Sequence, residues 1–380
     1  MNIIIAPDSF KECLSAQKVA ENIAIGIKKT LPQSQIAIMP MADGGEGTVE
    51  ALIVATQGTK KTVQVHNPLM RKIDSFFGLS KKGETAFIEM AAASGLELLS
   101  ENEKNPSVTT TYGTGELINA ALNLGVKNII IGIGGSATND GGAGMFQALG
   151  GKLLDKNGDS IKYGGTHLSK IETIDISNLD KRIKETNIKI ACDVSNPLTG
   201  INGAVNVYSK QKGATAKMRV ELEKNMLHFE KKLKKFCGID IGNIPGAGAA
   251  GGLAAGFIGF LDAEIENGFQ LISKTCKLEE QIKNCDLVIT GEGNIDFQTQ
   301  YGKTPFGVAM LAKKHNKPVI AIAGRLGEKY QELYSKGFNA IFSIQEEPCT
   351  LEESIRNTPK LLQNTAQRII QTITIGKKLQ

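Results

Sequence analysis

The sequence predicts an α/β protein of two domains, one a flavodoxin-like doubly wound parallel sheet made from both chain ends. Three observations predict it. Short, uniformly apolar runs alternate with stretches of helical period at each end, a rhythm that belongs to a parallel sheet covered on both faces. The rhythm stops near residue 62 and resumes near residue 283, so the middle is an insertion. The 380-residue length suits two or three domains at roughly 150 residues each, with two favoured.

Residues 2–6 (NIIIA) read as the first strand. Residues 15–31 have helical period through Val19, Ile23 and Ile27, with Ser15 as N-cap. Residues 35–40 (QIAIMP) are the second strand and 46–55 the second helix. After the insertion, strands are expected at 286–290, 318–323 and 340–344, and helices at 303–315, 328–336 and 351–372. Five such units most often close in the strand order 2-1-3-4-5. The domains are then 1–62 with 283–380, and an inserted mixed α/β domain at 63–282, with the active site expected in the cleft between them. The insertion opens with a hairpin-like stretch, 62–78 and 85–90, and holds buried strands at 128–133 and 188–191.

Composition narrows the function classes. A net charge of +5 is too weak for nucleic acid or an acidic membrane surface. Six cysteines without paired spacing argue against zinc and disulfide frameworks, and for a reducing compartment. The N-terminus lacks a basic n-region and its apolar run ends at Pro7 and Asp8, so no signal peptide is read. The uncharged stretch 241–261 is too rich in glycine for a membrane span and reads as a loop entering a packed helix. A soluble, cytoplasmic protein is expected. Its 42 glycines exceed the roughly 27 of an average chain this long. The surplus is expected where backbone approaches a ligand.

The polar residues gather at predicted strand ends. Asp8, Ser9 and Lys11 follow the first strand; Asp43 and Glu46 follow the second; Glu292 and Asp296 follow the third. Simple helix capping is the competing explanation for each loop. The densest segment is IIIGIGGSATNDGGAG (129–144), where Gly134, Gly135, Ser136, Thr138 and Asn139 can form an anion nest. PGAGAAGG (245–252) fits GxGxxG by letters but reads better as close helix packing. Asp193 and Asn196 follow the strand 188–191, and Lys212 precedes a glycine. There is no Walker motif, and none of the four histidines lies in these loops. Acid–base work would fall to carboxylates or lysine. Nests, carboxylates and lysines without histidine suit phosphoryl transfer.

APDSFK (6–11), PMADGGEGT (40–48), EMAAASGL (89–96), TTYGTGELI (110–118), IGIGGSATNDGGAG (131–144), CDVSNPL (192–198), QKGAT (211–215), PGAGAAGGL (245–253) and DLVITGEG (286–293) with GKTP (302–305) together resemble the type I glycerate kinase family. They appear in order along nearly the whole chain. The resemblance implies an ATP- and Mg2+-dependent kinase of D-glycerate with a two-domain α/β architecture, and favours 2-phosphoglycerate over 3-phosphoglycerate. From charge and position, Asp193 is the best candidate base, Lys11 and Asp8 are further catalytic candidates, and Asp8 and Asn196 would orient substrate. Ser9, Lys212, Gly134, Gly135, Ser136, Thr138, Asn139, Asn196, Gln298, Thr299 and Lys303 bind substrate or phosphate. Asp43, Glu46, Glu292 and Asp296 are the metal carboxylates.

The partners are D-glycerate and ATP, with no nucleic acid or membrane, and a homodimer is one assembly open to the chain. Three places depart from the family pattern. Glu12-Cys13 stands where Gly-Ser is common, Asn294 where an arginine is usual, and Tyr208-Ser209-Lys210 where a Phe-Gly-Pro run is common. Two other readings stay open: a nicotinamide-dependent oxidoreductase of a small hydroxy acid, built on Gly132 or Gly246, and a non-catalytic sugar-acid binding protein.

Overall fold

A computed structural model describes residues 1–378. The described strands, in chain order, are β1 (Asn2–Ile5), β2 (Gln35–Ile38), β3 (Thr59–His66), β4 (Lys72–Leu79), β5 (Thr85–Glu89), β6 (Asn128–Gly132), β7 (Lys152–Leu154), β8 (Thr173–Asp175), β9 (Asn187–Ala191), β10 (Glu264–Glu266), β11 (Leu287–Ile295), β12 (Val319–Leu326) and β13 (Ala340–Ser343). The fold is mixed α/β with parallel sheets. The chain forms two compact units: Met1–Asp43, Glu50–Thr56 and Phe269 onward in the first, Gly44–Val49 and Gln57–Gly268 in the second.

The first unit is built on a five-stranded sheet ordered β2, β1, β11, β12, β13, with every pairing parallel. Ile3 lies opposite Leu287 and Ile36, so β1 sets apolar residues against both of its neighbours. Helix Ala16–Thr30 starts at Ser15, whose hydroxyl accepts the Lys18 N–H, and buries Val19, Ile23 and Ile27 on the sheet. It also packs on the final helix, Leu351–Lys378, which contributes Leu362, Ala366, Ile369 and Ile370 to the same core. Gly26 is required there: a Cβ would lie 2.2 Å from the Gln363 carbonyl oxygen.

Three expectations for this unit change. Strand β11 does not end at residue 290 but runs through the acidic stretch to Ile295, because Glu292, Asn294 and Ile295 continue in register with Ala323, Arg325 and Leu326. The stretch 328–336 is a 3-10 segment, Tyr330–Lys336, rather than an α-helix. Helices Gly268–Thr275 and Leu278–Lys283 lie in the stretch assigned to the insertion. From Phe269 on the chain belongs to the first unit, with the Phe269 ring filling the space over Gly307.

The second unit has a six-stranded sheet ordered β10, β9, β6, β5, β4, β3. Strands β3, β4 and β5 form an antiparallel meander, and β5, β6, β9 and β10 are parallel. The hairpin begins at Thr59, opposite Leu79, so all of β3 belongs to this sheet. Its core gathers Ile88, Ile131, Ile190, Leu117, Phe229 and Phe257, with Phe146 stacked on Phe260 at 4.1 Å. At the start of helix Ala249–Leu261, Ala250, Gly251 and Gly252 are left-handed, with φ of 54°, 68° and 84°. A Cβ on Gly251 would lie 2.0 Å from the Thr138 carbonyl oxygen. The glycines of 245–252 therefore serve close packing of two backbone segments. Among the described residues no helix is long and apolar enough to cross a membrane.

Candidate functional site

In the first unit the polar residues collect around the ends of β1 and β11. The Asp8 N–H donates to the Gly291 carbonyl at 2.8 Å, and the Asp8 carboxylate accepts the Ser9 N–H at 2.6 Å. Asp8 is buried. That burial, then the charge of Asp43, pushes its carboxyl up to about 6, against the pull of the Thr304 hydroxyl, the Ser9 N–H and Lys11. Glu292 is buried too, and burial pushes it up to about 7 despite Lys303 and the Thr299 hydroxyl; the Asp8 charge adds to the rise. Thr299 Oγ1 donates to Glu292 Oε1 at 2.8 Å, and Lys303 Nζ reaches the same oxygen at 3.4 Å.

Asp296 is held differently. It accepts the Gln298 N–H at 2.8 Å while its own N–H donates to Thr299 Oγ1 at 3.2 Å, which is a reciprocal cap on the 3-10 turn Phe297–Gln300. Asn294 Nδ2 donates to Asp296 Oδ2 at 2.8 Å, so a neutral amide stands where the family pattern has a cation. Gln298 is exposed and meets Asp296 through its backbone. The Ser9 hydroxyl is buried with no hydrogen-bond partner among the described residues. Lys11 is exposed on a tight turn in which Phe10 bridges Leu14, and Glu12 on that turn has a φ of 60°. The departure from the common glycine thus falls on a left-handed residue.

In the second unit β6 delivers the glycine-rich loop. Gly134 donates to the Gly44 carbonyl at 3.4 Å, and Gly135, at φ 71°, is exposed. Ser136, Thr138 and Asn139 are buried. Lys212 is 1% exposed, which runs against the habit of lysine. Its Nζ donates to Ser136 Oγ and to the Thr138 carbonyl, each at 2.7 Å. Burial lowers the ammonium to about 7, with the charge of Asp140 holding it up. Among the described residues the Thr138 hydroxyl and both amide atoms of Asn139 are buried without a partner.

Asp193, just beyond β9, is exposed and accepts the Gly268 N–H at 2.9 Å and the Asn267 amide. Asn196 is committed internally: its amide donates to the Asn202 carbonyl at 2.8 Å, and its oxygen accepts the Tyr208 hydroxyl at 2.5 Å. Tyr208 is one of the departures from the family pattern, and its hydroxyl makes this bond. Glu46 is exposed.

The structure brings Asp8, Asp43, Glu292, Thr299 and Lys303 together in one unit, and Lys212, Ser136 and Thr138 in the other. Among the described residues no three His, Cys, Asp or Glu side chains converge as a metal-ligand group. Glu292 is engaged by Thr299 and Lys303, and Asp296 by its cap.

Two acidic residues were given no role in the sequence reading. Glu89 ends β5 and accepts the Val49 N–H at 2.8 Å. Asp140 is fully buried and accepts from Thr110, Thr111, Gly142 and Gly144. The signal for both was their place inside the unusual motifs EMAAASGL and TNDGGAG.

The model of the glycerate kinase family matches residues 3–374. The chain is 50% identical over 378 residues to glycerate 2-kinase of Escherichia coli, covering 100% of this chain and 99% of that protein. It is 48% identical to a glycerate kinase of Bacillus subtilis, covering 100% and 99%. A crystal structure described as glycerate kinase 2 of Salmonella typhimurium superposes with a TM-score of 0.90 at 46% identity, covering 100% of this chain and 99% of that one.

Proposed function

Because the chain belongs to the glycerate kinase family, we propose that it transfers the terminal phosphoryl group of ATP to D-glycerate, with the 2-hydroxyl as acceptor. Lys212 carries the reading: a wholly buried ammonium bonded into a glycine-rich loop is a site built for an anion. Phosphoryl transfer asks the protein mainly for positioning and charge neutralisation. Lys212, Ser136 and the backbone from Gly134 to Asn139 would receive phosphate or the substrate carboxylate. Lys303, steadied by Glu292, and the exposed Lys11 are the further cations.

The donor set of the first unit fits Mg2+. Asp8 and Asp43 are close enough to repel, and Mg2+ is usually held by one or two carboxylates plus phosphate oxygens. When bound, Mg2+ would neutralise phosphate charge. Asp193 is the proposed base, its carboxylate exposed and oriented by Asn267 and Gly268.

The five-stranded unit is proposed as a flavodoxin-like module, with β1 and β11 flanking its switch point; the observed order supports this. A cytoplasmic setting is proposed on six free cysteines.

The test is ³¹P NMR of the product from ATP, Mg2+ and D-glycerate. A phosphate on carbon 2 couples to one proton and gives a doublet; on carbon 3 it couples to two and gives a triplet. A doublet is expected. No ATP consumption, combined with specific binding in an NADH fluorescence titration, would favour the oxidoreductase instead.

A further inference from the structure

We infer that Asp140 is a positioning residue of the phosphoryl-transfer site, fixing the loop that Lys212 grips and supplying the charge that balances that lysine. This rests on the reading of the loop given above.

Asp140 is fully buried. Its Oδ2 accepts the Thr111 N–H at 2.8 Å, the Thr111 hydroxyl at 3.0 Å, the Thr110 hydroxyl at 3.2 Å and the Gly144 N–H at 3.2 Å. Its Oδ1 accepts the Gly142 N–H at 3.2 Å. Burial raises the carboxyl above its usual range, against the pull of the Thr111 N–H and hydroxyl and of the Gly144 and Gly142 N–H groups, which favour the ionised form. The Thr111 hydroxyl in turn accepts the Met145 N–H at 2.9 Å. One side chain thus ties together the turn before helix Tyr112–Leu122 and the start of helix Ala143–Ala148.

On the other side of the same loop, Lys212 bonds the Thr138 carbonyl and the Ser136 hydroxyl. Asn139 therefore sits between two clamps, one at residue 138 and one at residue 140. Its side chain is fully enclosed, with neither amide atom paired among the described residues. Orphaned buried amides are rare in native proteins and mark strain or a functional role. A loop clamped on both flanks can hold one in place. The charge of Asp140 holds the Lys212 ammonium up against burial. Taking that charge away leaves a buried ammonium with two neutral acceptors and no counter-charge.

The test is Asp140→Asn, which keeps the side-chain shape and removes the charge. With lysine labelled at ¹³Cε, the Lys212 resonance is assigned by its loss in Lys212→Met and titrated without substrate. The Lys212 midpoint is expected to fall by at least about one pH unit. The basic limb of kcat/KM is expected to move to lower pH with it, because the ammonium deprotonates sooner. A folded Asp140→Asn protein with an unchanged midpoint overturns the inference. Should Asp140→Asn not fold, Thr111→Val removes one donor at nearly constant volume. It is expected to raise KM several-fold, with Thr111→Ser restoring it, and wild-type KM in Thr111→Val overturns the positioning role. Wild-type kinetics in Lys212→Met alongside a shifted midpoint would instead sink the phosphate reading and leave the Asp140–Lys212 relationship standing.

Discussion

Lys212 donates to the Thr138 carbonyl at 2.7 Å from a position with 1% exposure, so a cation is held inside the protein by a backbone dipole and one hydroxyl. An ammonium so enclosed is kept charged only weakly, which is why it sits near 7 rather than at its ordinary 10.5. The consequences for stability and turnover can be measured.

Lys212 makes stability depend on pH in alkali. Its folded value is depressed, so between about 7 and 10.5 the unfolded chain binds the proton and the folded chain does not. Stability on this account rises as pH rises through that window, and the cost is complete below it. Chemical denaturation at pH 7 and pH 9 should show the gain. Lys212→Met should flatten it, and equal slopes in both proteins would contradict the assignment.

Glu292 acts in the neighbouring window with the opposite sign. Its folded value is raised from 4.5 to about 7, so the folded chain holds a proton that the unfolded chain has lost. Stability from this group is complete below pH 4.5 and declines as pH rises to about 7. Glu292→Gln, which stays neutral, should be less sensitive to pH between 5 and 7 in EDTA-containing buffer. Thermal scans that show the same decline in both proteins would count against a raised Glu292.

Glu12→Gly should stabilise the protein. The left-handed conformation at φ 60° costs an L-residue roughly 1–2 kcal/mol, while glycine loses about 0.5–1 kcal/mol of chain entropy on folding. A net gain of between about zero and about 1.5 kcal/mol is expected, read as a small rise in Tm. A fall in Tm would show that the Glu12 side chain makes a compensating contact.

Gly251→Ala should be severely destabilising. The new Cβ would meet the Thr138 carbonyl oxygen at 2.0 Å, on a backbone at φ 68°. A loss of about 3 kcal/mol or more is expected in urea titration, since the opposing atom is backbone and has no rotamer to change. Activity should fall as well, because that carbonyl is one of the two acceptors of Lys212. A variant with wild-type midpoint and turnover would mean that the two segments can separate freely.

Asp193→Asn should lower kcat by about 100-fold or more if the carboxylate takes the hydroxyl proton, the usual scale for losing a general base. Its exposure and surface hydrogen bonds make a large Tm change unexpected. Near-wild-type turnover removes Asp193 from the mechanism, and the base must then be sought among Asp8 and its neighbours.

Much of this protein can be read from short windows of its chain. The apolar runs of β1, β12 and β13, the Ser15-capped helix and the family motifs are local patterns, set by side-chain periodicity and turn chemistry within about 20 residues. What those windows could not show depends on partners far away in sequence. Strand β11 runs through Glu292 and Asn294 because β12 pairs with it there, although an acidic stretch rich in glycine looks like a loop.

Lys212 looks like any surface lysine until Ser136 and Thr138, more than 70 residues earlier, close over it. Asp140 looks like a turn residue until Thr110 and Thr111 donate to it. The glycines of 245–252 read as close packing from the sequence, and only the fold names the backbone at Thr138 as what they pack against. Burial and electrostatic coupling are properties of assembled neighbours, and they turned ordinary residues into a charged, enclosed site.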